Sequence, residues 1–239
     1  MNTPMPEDAP LIRLDGLSKV FHTDEIETLA VADVHLEIPR GQYVCIAGPS
    51  GSGKTTLLNI IGGLDKPTNG SVVISGTDIS RLSDNKLIEF RKNHLGFVFQ
   101  AYNLIPVLTA TENIEFVMLL QNRPAAERNE RTNELLEAVG LSDKRNTRPA
   151  QLSGGQQQRV AVARALAPKP DFILADEPTA NLDSKSTENL LDIMSRLNHE
   201  QGITFVFSTH DQRVIERAHR VISLVDGKIA SDMQQHPVK

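Results

Sequence analysis

The sequence has one cysteine, Cys45, in 239 residues. No intrachain disulfide can form, which suits a reducing compartment. Cys45 sits in an apolar run and reads as core. No run of about 18 or more apolar residues occurs, so no bilayer-spanning helix is expected. There is no excess of basic residues either: 25 Lys and Arg stand against 30 Asp and Glu, a net charge of -5. Proteins that coat nucleic acid are normally basic, so no nucleic-acid partner is expected, although a local basic patch stays open. Residues 1–10 lack a basic start and an apolar stretch; they do not read as a signal peptide and are expected to be disordered. Glycine (15) and proline (13) are near average usage and exclude a collagen-like or low-complexity chain. What remains is an ordinary soluble, cytosolic composition, 39% apolar and 23% charged, long enough to bury a core without staples.

Hydrophobic patterning predicts an α/β chain. Val34, Leu36 and Ile38 alternate with His35 and Glu37, the period of a half-buried strand, and Leu11–Leu14 reads the same way. Tyr43–Ala47 is near-continuously apolar, as in a strand buried on both faces. A helical pattern over Thr55–Ile61 follows and stops at Gly62-Gly63. Short strands are expected at Val72–Ile74 and Phe97–Phe99. Thr109-Ala110-Thr111-Glu112 has capping-box spacing ahead of a helix through Leu120. Further helices are expected over Glu127–Val139 and Gly154–Ala167, so residues 90–165 read as a helical insertion. Strands return at Phe172–Ala175 and Thr204–Ser208, with helical spacing of Leu190, Leu191, Met194 and Leu197 between them. Asp226-Gly227 between Val221–Val225 and Lys228-Ile229 is a two-residue hairpin turn. The whole predicts an α/β core with a helical insertion and an antiparallel edge, and no separable second domain.

Gly48-Pro49-Ser50-Gly51-Ser52-Gly53-Lys54-Thr55 fits G-x-x-x-x-G-K-[ST]. Glycines let the backbone curl so that several N–H groups face one anion, and the following helix adds its positive end. Lys54 can reach β- and γ-phosphates, and the Thr55 hydroxyl can bind Mg²⁺. Chance gives roughly one such match per hundred chains of this size, and here it follows a buried strand and opens a helix. On this motif alone a kinase, a GTPase and a transport ATPase all stay open. Asp176 and Glu177 end another buried strand, where α/β sheets bind ligands. Asp176 can hold Mg²⁺ there, and Glu177 can polarise a water in line with the γ-phosphate as general base. Gln100 and His210 also end strands; the amide oxygen of the first suits a metal and the ring of the second a γ-phosphate.

Leu152-Ser153-Gly154-Gly155-Gln156 offers a second anion-friendly helix start, with Ser153 as N-cap. One nucleotide rarely needs two such starts from one chain. A symmetric head-to-tail dimer would supply one from each partner; an ordinary glycine-containing cap without a ligand is the other reading.

The order Gly48–Thr55, Gln100, Leu152–Gln156, Asp176-Glu177, Asn181-Leu182-Asp183 and His210 resembles the nucleotide-binding subunit of ABC transporters, over about residues 11–230. The resemblance implies a P-loop NTPase fold of the ABC ATPase type, with a RecA-like core, an antiparallel β subdomain and an inserted α-helical subdomain at about 90–165. It implies a disordered stretch at 1–10 and a C-terminal tail at 231–239. It implies ATP and Mg²⁺ as cofactors. Phe21 matches the aromatic that stacks on adenine, where tyrosine is commoner. Gly48–Thr55 with Thr56 looks like the Walker A loop, Gln100 like the Q-loop glutamine that binds Mg²⁺ and senses the membrane partner, and Ser153, Gly154, Gly155 and Gln156 like the ABC signature. Asp176 looks like the Walker B acid, Glu177 like the catalytic base, His210 like the switch histidine, and Asp183 lies in the D-loop. Thr55, Gln100 and Asp176 are the implied metal ligands; Glu177, His210 and Lys54 are the implied catalytic groups.

Asn59–Thr68, Gly96–Gln100 with Asn103–Pro106, and Asp176–Asp183 are similar to the lipoprotein-release and macrolide-export (LolD/MacB-like) subfamily. That implies an ATP-sandwich dimer with a second copy, integral membrane permease subunits as partners, and a place on the cytoplasmic face of the inner membrane. The alternative within the subfamily is a force-transmitting ATPase acting on an extracytoplasmic partner through an FtsX-like permease. A soluble ABC ATPase of DNA repair or translation fits less well, because too few residues separate Lys54 from Asp176 for the coiled-coil arm of repair forms, and translation forms carry two cores in one chain. No appended regulatory domain is expected after Lys239.

Overall fold

The computed structural model describes residues 9–23 and 26–235. The chain divides into two compact units, residues 1–88 with 208–239 and residues 89–207. The expected disorder at residues 1–8 and the end of the expected tail, 236–239, lie outside the described residues.

The first unit begins with two long strands, β1 (Ile12–Thr23) and β2 (Ile26–Ile38), paired antiparallel. In β2 Val34, Leu36 and Ile38 are buried while His35 and Glu37 are exposed, as the alternation predicts. The β1 register shifts between Leu14 and Leu17, around Gly16 at φ 59°, and the strand then continues. Such a bulge bends a strand without ending it, which is why only its first residues are legible as strand. β3 (Tyr43–Ala47) is buried at all five positions and leads through the glycine-rich loop into α1 (Lys54–Ile61). β4 (Asn69–Ile74) pairs with β1, and β5 (Thr77–Asp78) pairs with β4, so β2-β1-β4-β5 form an antiparallel sheet. α2 (Asp84–His94) starts in this unit and ends in the next. Its only buried residue is Leu87, so it has no apolar stripe; Asp84 in its first turn and Arg91, Lys92 and His94 in its last turn suit the helix dipole.

The second unit holds β6 (Leu95–Val98), α3 (Ala110–Leu120), α4 (Ala125–Ala138), α5 (Gly154–Leu166), β7 (Phe172–Asp176), α6 (Ser184–Gln201) and β8 (Thr204–Thr209), whose last two residues count with the first unit. β6 and β7 run parallel with Gly96 opposite Ile173, and β8 lies on the other side of β7. Between residues 90 and 165 the described strand is β6 and the longer elements are helices. α5 seats on β6 at Gly96, where an added Cβ would lie 2.3 Å from Ile173 Cδ1 and 2.4 Å from the Ala165 carbonyl oxygen. The helix starts are set by side chains. Thr109 and Glu112 form a reciprocal capping box on α3, Ser153 and Gln156 another on α5, and the Asp183 carboxylate caps α6 through the Ser186 amide. Gly202, at φ 65°, ends α6. Phe172, Phe205 and Phe207 are fully buried, each contributing about 1.5–3 kcal/mol over an exposed position.

The chain returns to the first unit through α7 (Gln212–Ile215), β9 (Arg220–Val225) and β10 (Lys228–Gln234). β9 runs parallel to β3 with Cys45 opposite Val221, and β10 pairs antiparallel to β9. Asp226 and Gly227 both have positive φ, 48° and 76°, the form a two-residue hairpin turn needs. The expected tail from 231 is corrected here, because residues 231–234 continue β10. Asp232, Met233 and Gln234 are exposed in succession, so the end of that strand lacks the buried/exposed alternation that announces a pairing.

Candidate functional site

In the first unit, the loop Gly48–Gly53 links the end of a buried strand to the start of α1. Gly53 sits at φ 98°, and a Cβ on it would lie 2.2 Å from the Ala30 carbonyl oxygen, so no side chain fits. A Cβ on Gly48 would meet the Leu224 carbonyl oxygen at 2.2 Å, which fixes the loop against β9. Lys54 is only 7% exposed. Its ammonium donates to the carbonyls of Gly48 and Pro49 at 2.8 and 2.9 Å, so the loop closes around a cation. α1 has no side-chain cap, unlike α3, α5 and α6, and no acid in its first turn. Its N-terminal N–H dipoles therefore remain uncompensated by the helix's own side chains, as an anion site requires. Pro49, Ser50, Gly51 and Thr55 are exposed, Thr56 is half-buried and Ser52 is buried. A polyphosphate fits this cradle on its cation, its helix end and its open glycine face at Gly51, where nothing lies within 4 Å of an added Cβ.

Two other expected residues belong to the first unit. Phe21 on β1 is 42% exposed, and the Lys19 ammonium lies 4.9 Å from its ring centroid, a cation–π contact that holds one face of the ring. Lys19 is itself held by Asp65 and the Lys66 carbonyl at 2.7 and 2.9 Å. His210 is exposed in the loop between β8 and α7.

The second unit carries the remaining expected residues. Asp176 ends β7 and is half-buried, as is Glu177. Glu177 has φ 46°, a left-handed conformation costing about 1–3 kcal/mol for a residue of this kind and concentrated at functional positions. Gln100 is exposed two residues past β6. Ser153 is exposed at the start of α5, its hydroxyl accepting from the Gln156 amide while the Gln156 side chain accepts from the Ser153 amide. The Ser153 hydroxyl hydrogen stays available to an anion. Gly154 and Gly155 are half-buried; a Cβ on Gly154 would lie 2.6 Å from the Tyr102 hydroxyl, and one on Gly155 2.7 Å from the Ser186 hydroxyl. Asp183 accepts from the Ser186 amide and hydroxyl, which holds its carboxyl below the ordinary carboxylate range.

These loops are tied to each other. The Asn181 side-chain amide donates to the Gln100 carbonyl at 3.0 Å, and the Tyr102 hydroxyl donates to the Asn181 carbonyl at 3.3 Å. Arg164 on α5 donates to the Tyr102 and Asn103 carbonyls, and burial pushes its guanidinium pKa down. Gln158, also on α5 and fully buried, donates to the carbonyls of Phe99 and Pro178. Sequence reasoning misses Gln158, Arg164 and Tyr102, and takes Asn181 only as part of the Asn181-Leu182-Asp183 motif. For Gln158 a signal existed: a glutamine stands four residues before Val162, on a helix that otherwise buries alanine, valine and leucine.

The family model described as "ABC transporter" matches residues 31–180. The chain belongs to the ABC transporter ATP-binding family. The ABC subunit is 48% identical over 224 residues to the lipoprotein-releasing system ATP-binding protein LolD 1 of Rhodopseudomonas palustris, covering 93% of this chain and 99% of that protein. It is 47% identical over 230 residues to the macrolide export ATP-binding/permease protein MacB of Brucella melitensis, covering 96% of this chain and 35% of that protein. Among solved structures, the dimeric post-hydrolysis state of the ATP-binding cassette MJ0796 bound to ADP and Pi matches with a TM-score of 0.87 at 44% identity, covering 95% of this chain and all of that one. The subunit therefore has the α/β P-loop fold of an ABC ATPase cassette, binds and hydrolyses ATP, and is of the LolD/MacB type. No helix among the described residues is long and apolar enough to cross a membrane.

Proposed function

We propose that this ABC subunit powers a separate integral membrane permease of the lipoprotein-release or export kind, from the cytoplasmic face of the membrane, by closing on a second copy of itself around two ATP molecules. The observation that carries the dimer is the pair of glycine-bearing helix starts, α1 without a cap of its own and α5 with a free hydroxyl hydrogen on Ser153. Each ATP is held on Gly48–Thr56 of one copy, with Phe21 stacking on the base, and meets Ser153–Gln156 of the other. A solved relative that is a dimer bound to ADP and Pi supports this reading.

Lys54 and the α1 dipole take up charge on the transferring phosphoryl, and His210 contacts the γ-phosphate. Glu177 orients and deprotonates the attacking water. Thr55, Gln100 and Asp176 are the proposed Mg²⁺ ligands; hydroxyl, amide and carboxylate oxygens are the hard donors this ion takes. Bound Mg²⁺ would neutralise phosphate charge. Residues 11–230 form the catalytic cassette, with the helical insertion at about 90–165.

The permease docks on the second unit beside the Gln100 loop. On α3 and the loop before it, Val107, Phe116, Leu119 and Leu120 are 72%, 37%, 51% and 51% exposed, large apolar side chains of the kind a protein partner covers. Asn113 on α3 pins the adjoining loop, donating to the Ile105, Leu108 and Thr109 carbonyls and accepting from the Ile105 amide. The force-transmitting alternative with an FtsX-like permease would use the same residues; relatives named for lipoprotein release and macrolide export favour the first reading. Light scattering of the Glu177→Gln protein with and without ATP tests the sandwich.

A further inference from the structure

The five residues Phe99–Asn103 leave β6 and carry Gln100. Four of their carbonyls accept from side chains of the second unit. Phe99 accepts from Gln158 at 3.3 Å, Gln100 from Asn181 at 3.0 Å, and Tyr102 and Asn103 from the two arms of Arg164. Gln158 does more than the others. The same Nε2 donates at 2.7 Å to the carbonyl of Pro178, the residue after Glu177. A primary amide nitrogen has two hydrogens, so it satisfies both carbonyls at once. The side chain is fully buried, and the helix that carries it is seated on β6 by the close approach at Gly96.

One amide therefore joins the residue before Gln100 to the residue after Glu177. Glu177 is in a left-handed conformation, φ 46°, which persists only where the surroundings hold it. The Glu177–Pro178 peptide has no N–H to anchor it, so the Pro178 carbonyl offers a handle on this segment. We infer that Gln158 is a positioning residue for ATP hydrolysis: it locks the backbone that aims Glu177 to the loop that carries Gln100, through α5. Displacement of that loop is then felt at Glu177 through this buried amide, which acts beside the more exposed link from Asn181 to the Gln100 carbonyl. This rests on the roles proposed above for Glu177 and Gln100.

The test is Gln158→Met, which keeps the length of the side chain and removes both donors. Two readouts are taken, steady-state ATPase kinetics and amide hydrogen exchange by mass spectrometry. The expected result is a kcat about 10–100-fold lower with KM for ATP within about threefold. Exchange speeds up at least about tenfold in both Phe99–Asn103 and Glu177–Ala180, while the amides within α5 exchange as in wild type. Gln158→Asn, one methylene shorter and still a donor, reaches at most one carbonyl; it is the variant to use if the methionine protein does not fold, and it should loosen one segment more than the other. Exchange at wild-type rates in both segments overturns the inference, as does a kcat within twofold of wild type. A parallel Glu177→Gln sample separates the two layers: retained turnover there refutes the role of Glu177, whereas the exchange readout judges the Gln158 clamp whatever Glu177 does.

Discussion

Adding one methyl group at Gly96 probes how closely α5 sits on the sheet. The new Cβ would stand 2.4 Å from the Ala165 carbonyl oxygen and 2.3 Å from Ile173 Cδ1. The isoleucine tip can rotate away. The carbonyl belongs to the backbone of α5 and cannot, so the helix must retreat by about 0.6–1 Å to reach a tolerable contact. Overpacking of this kind costs about 1–3 kcal/mol. The alanine also restricts the unfolded chain, a gain of about 0.4–1 kcal/mol where the backbone conformation allows it. The clash wins, and the net loss of about 1–2 kcal/mol should lower Tm by roughly 2–8 °C for a chain of this length. The same retreat draws Gln158 and Arg164 from the carbonyls they hold, so ATPase activity should fall by more than the loss of folded protein explains. Thermal melts by circular dichroism and turnover at a temperature where both proteins are folded provide the check. A Gly96→Ala protein that melts within 1 °C of wild type and turns over at the wild-type rate refutes the packing argument.

Two further perturbations have signed outcomes. Ser153→Arg should stop turnover while the isolated subunit still binds nucleotide, and loss of the α5 cap should cost about 1 kcal/mol of stability; loss of nucleotide binding in a folded protein would place Ser153 in the same-chain site. Acid should destabilise the fold late. Glu112 is held below its usual range by the Thr109 amide and hydroxyl, Asp183 by Ser186, and Asp211 by Arg213. Folded values that are depressed confer stability above the ordinary carboxylate range, and that stability is lost as pH falls through the folded values. The urea midpoint should therefore hold steady down to about pH 4.5 and drop below it; a decline beginning above pH 6 would contradict this.

Much of the site could be read from local sequence because its chemistry is local. A buried strand, a glycine loop and Lys54 are contiguous, and so are β7 and its two acids. The caps at Thr109 and Ser153 and the Asp226-Gly227 turn each depend on a few neighbouring residues. What stayed hidden depends on distant partners. Gln158 reaches carbonyls 59 and 20 positions away; its place on the buried face of α5 is legible, but not which carbonyls it meets. β1 outruns its legible start because Gly16 bulges and pairing resumes beyond it. α2 escapes notice because it buries one leucine, and the end of β10 because its residues face solvent. The positive φ of Glu177 has no sequence signal, since glutamate is not a residue that seeks it.

In the proposed sandwich, one nucleotide lies between α1 of one copy and α5 of another. The Glu177→Gln protein, expected to bind ATP without hydrolysing it, measures this directly by static light scattering at fixed protein concentration. The sandwich requires a protein that is monomeric without nucleotide and shifts to twice the mass with MgATP, and that fails to shift when Ser153→Arg is added. A Glu177→Gln protein that binds MgATP, does not hydrolyse it, and keeps the monomer mass would contradict the account.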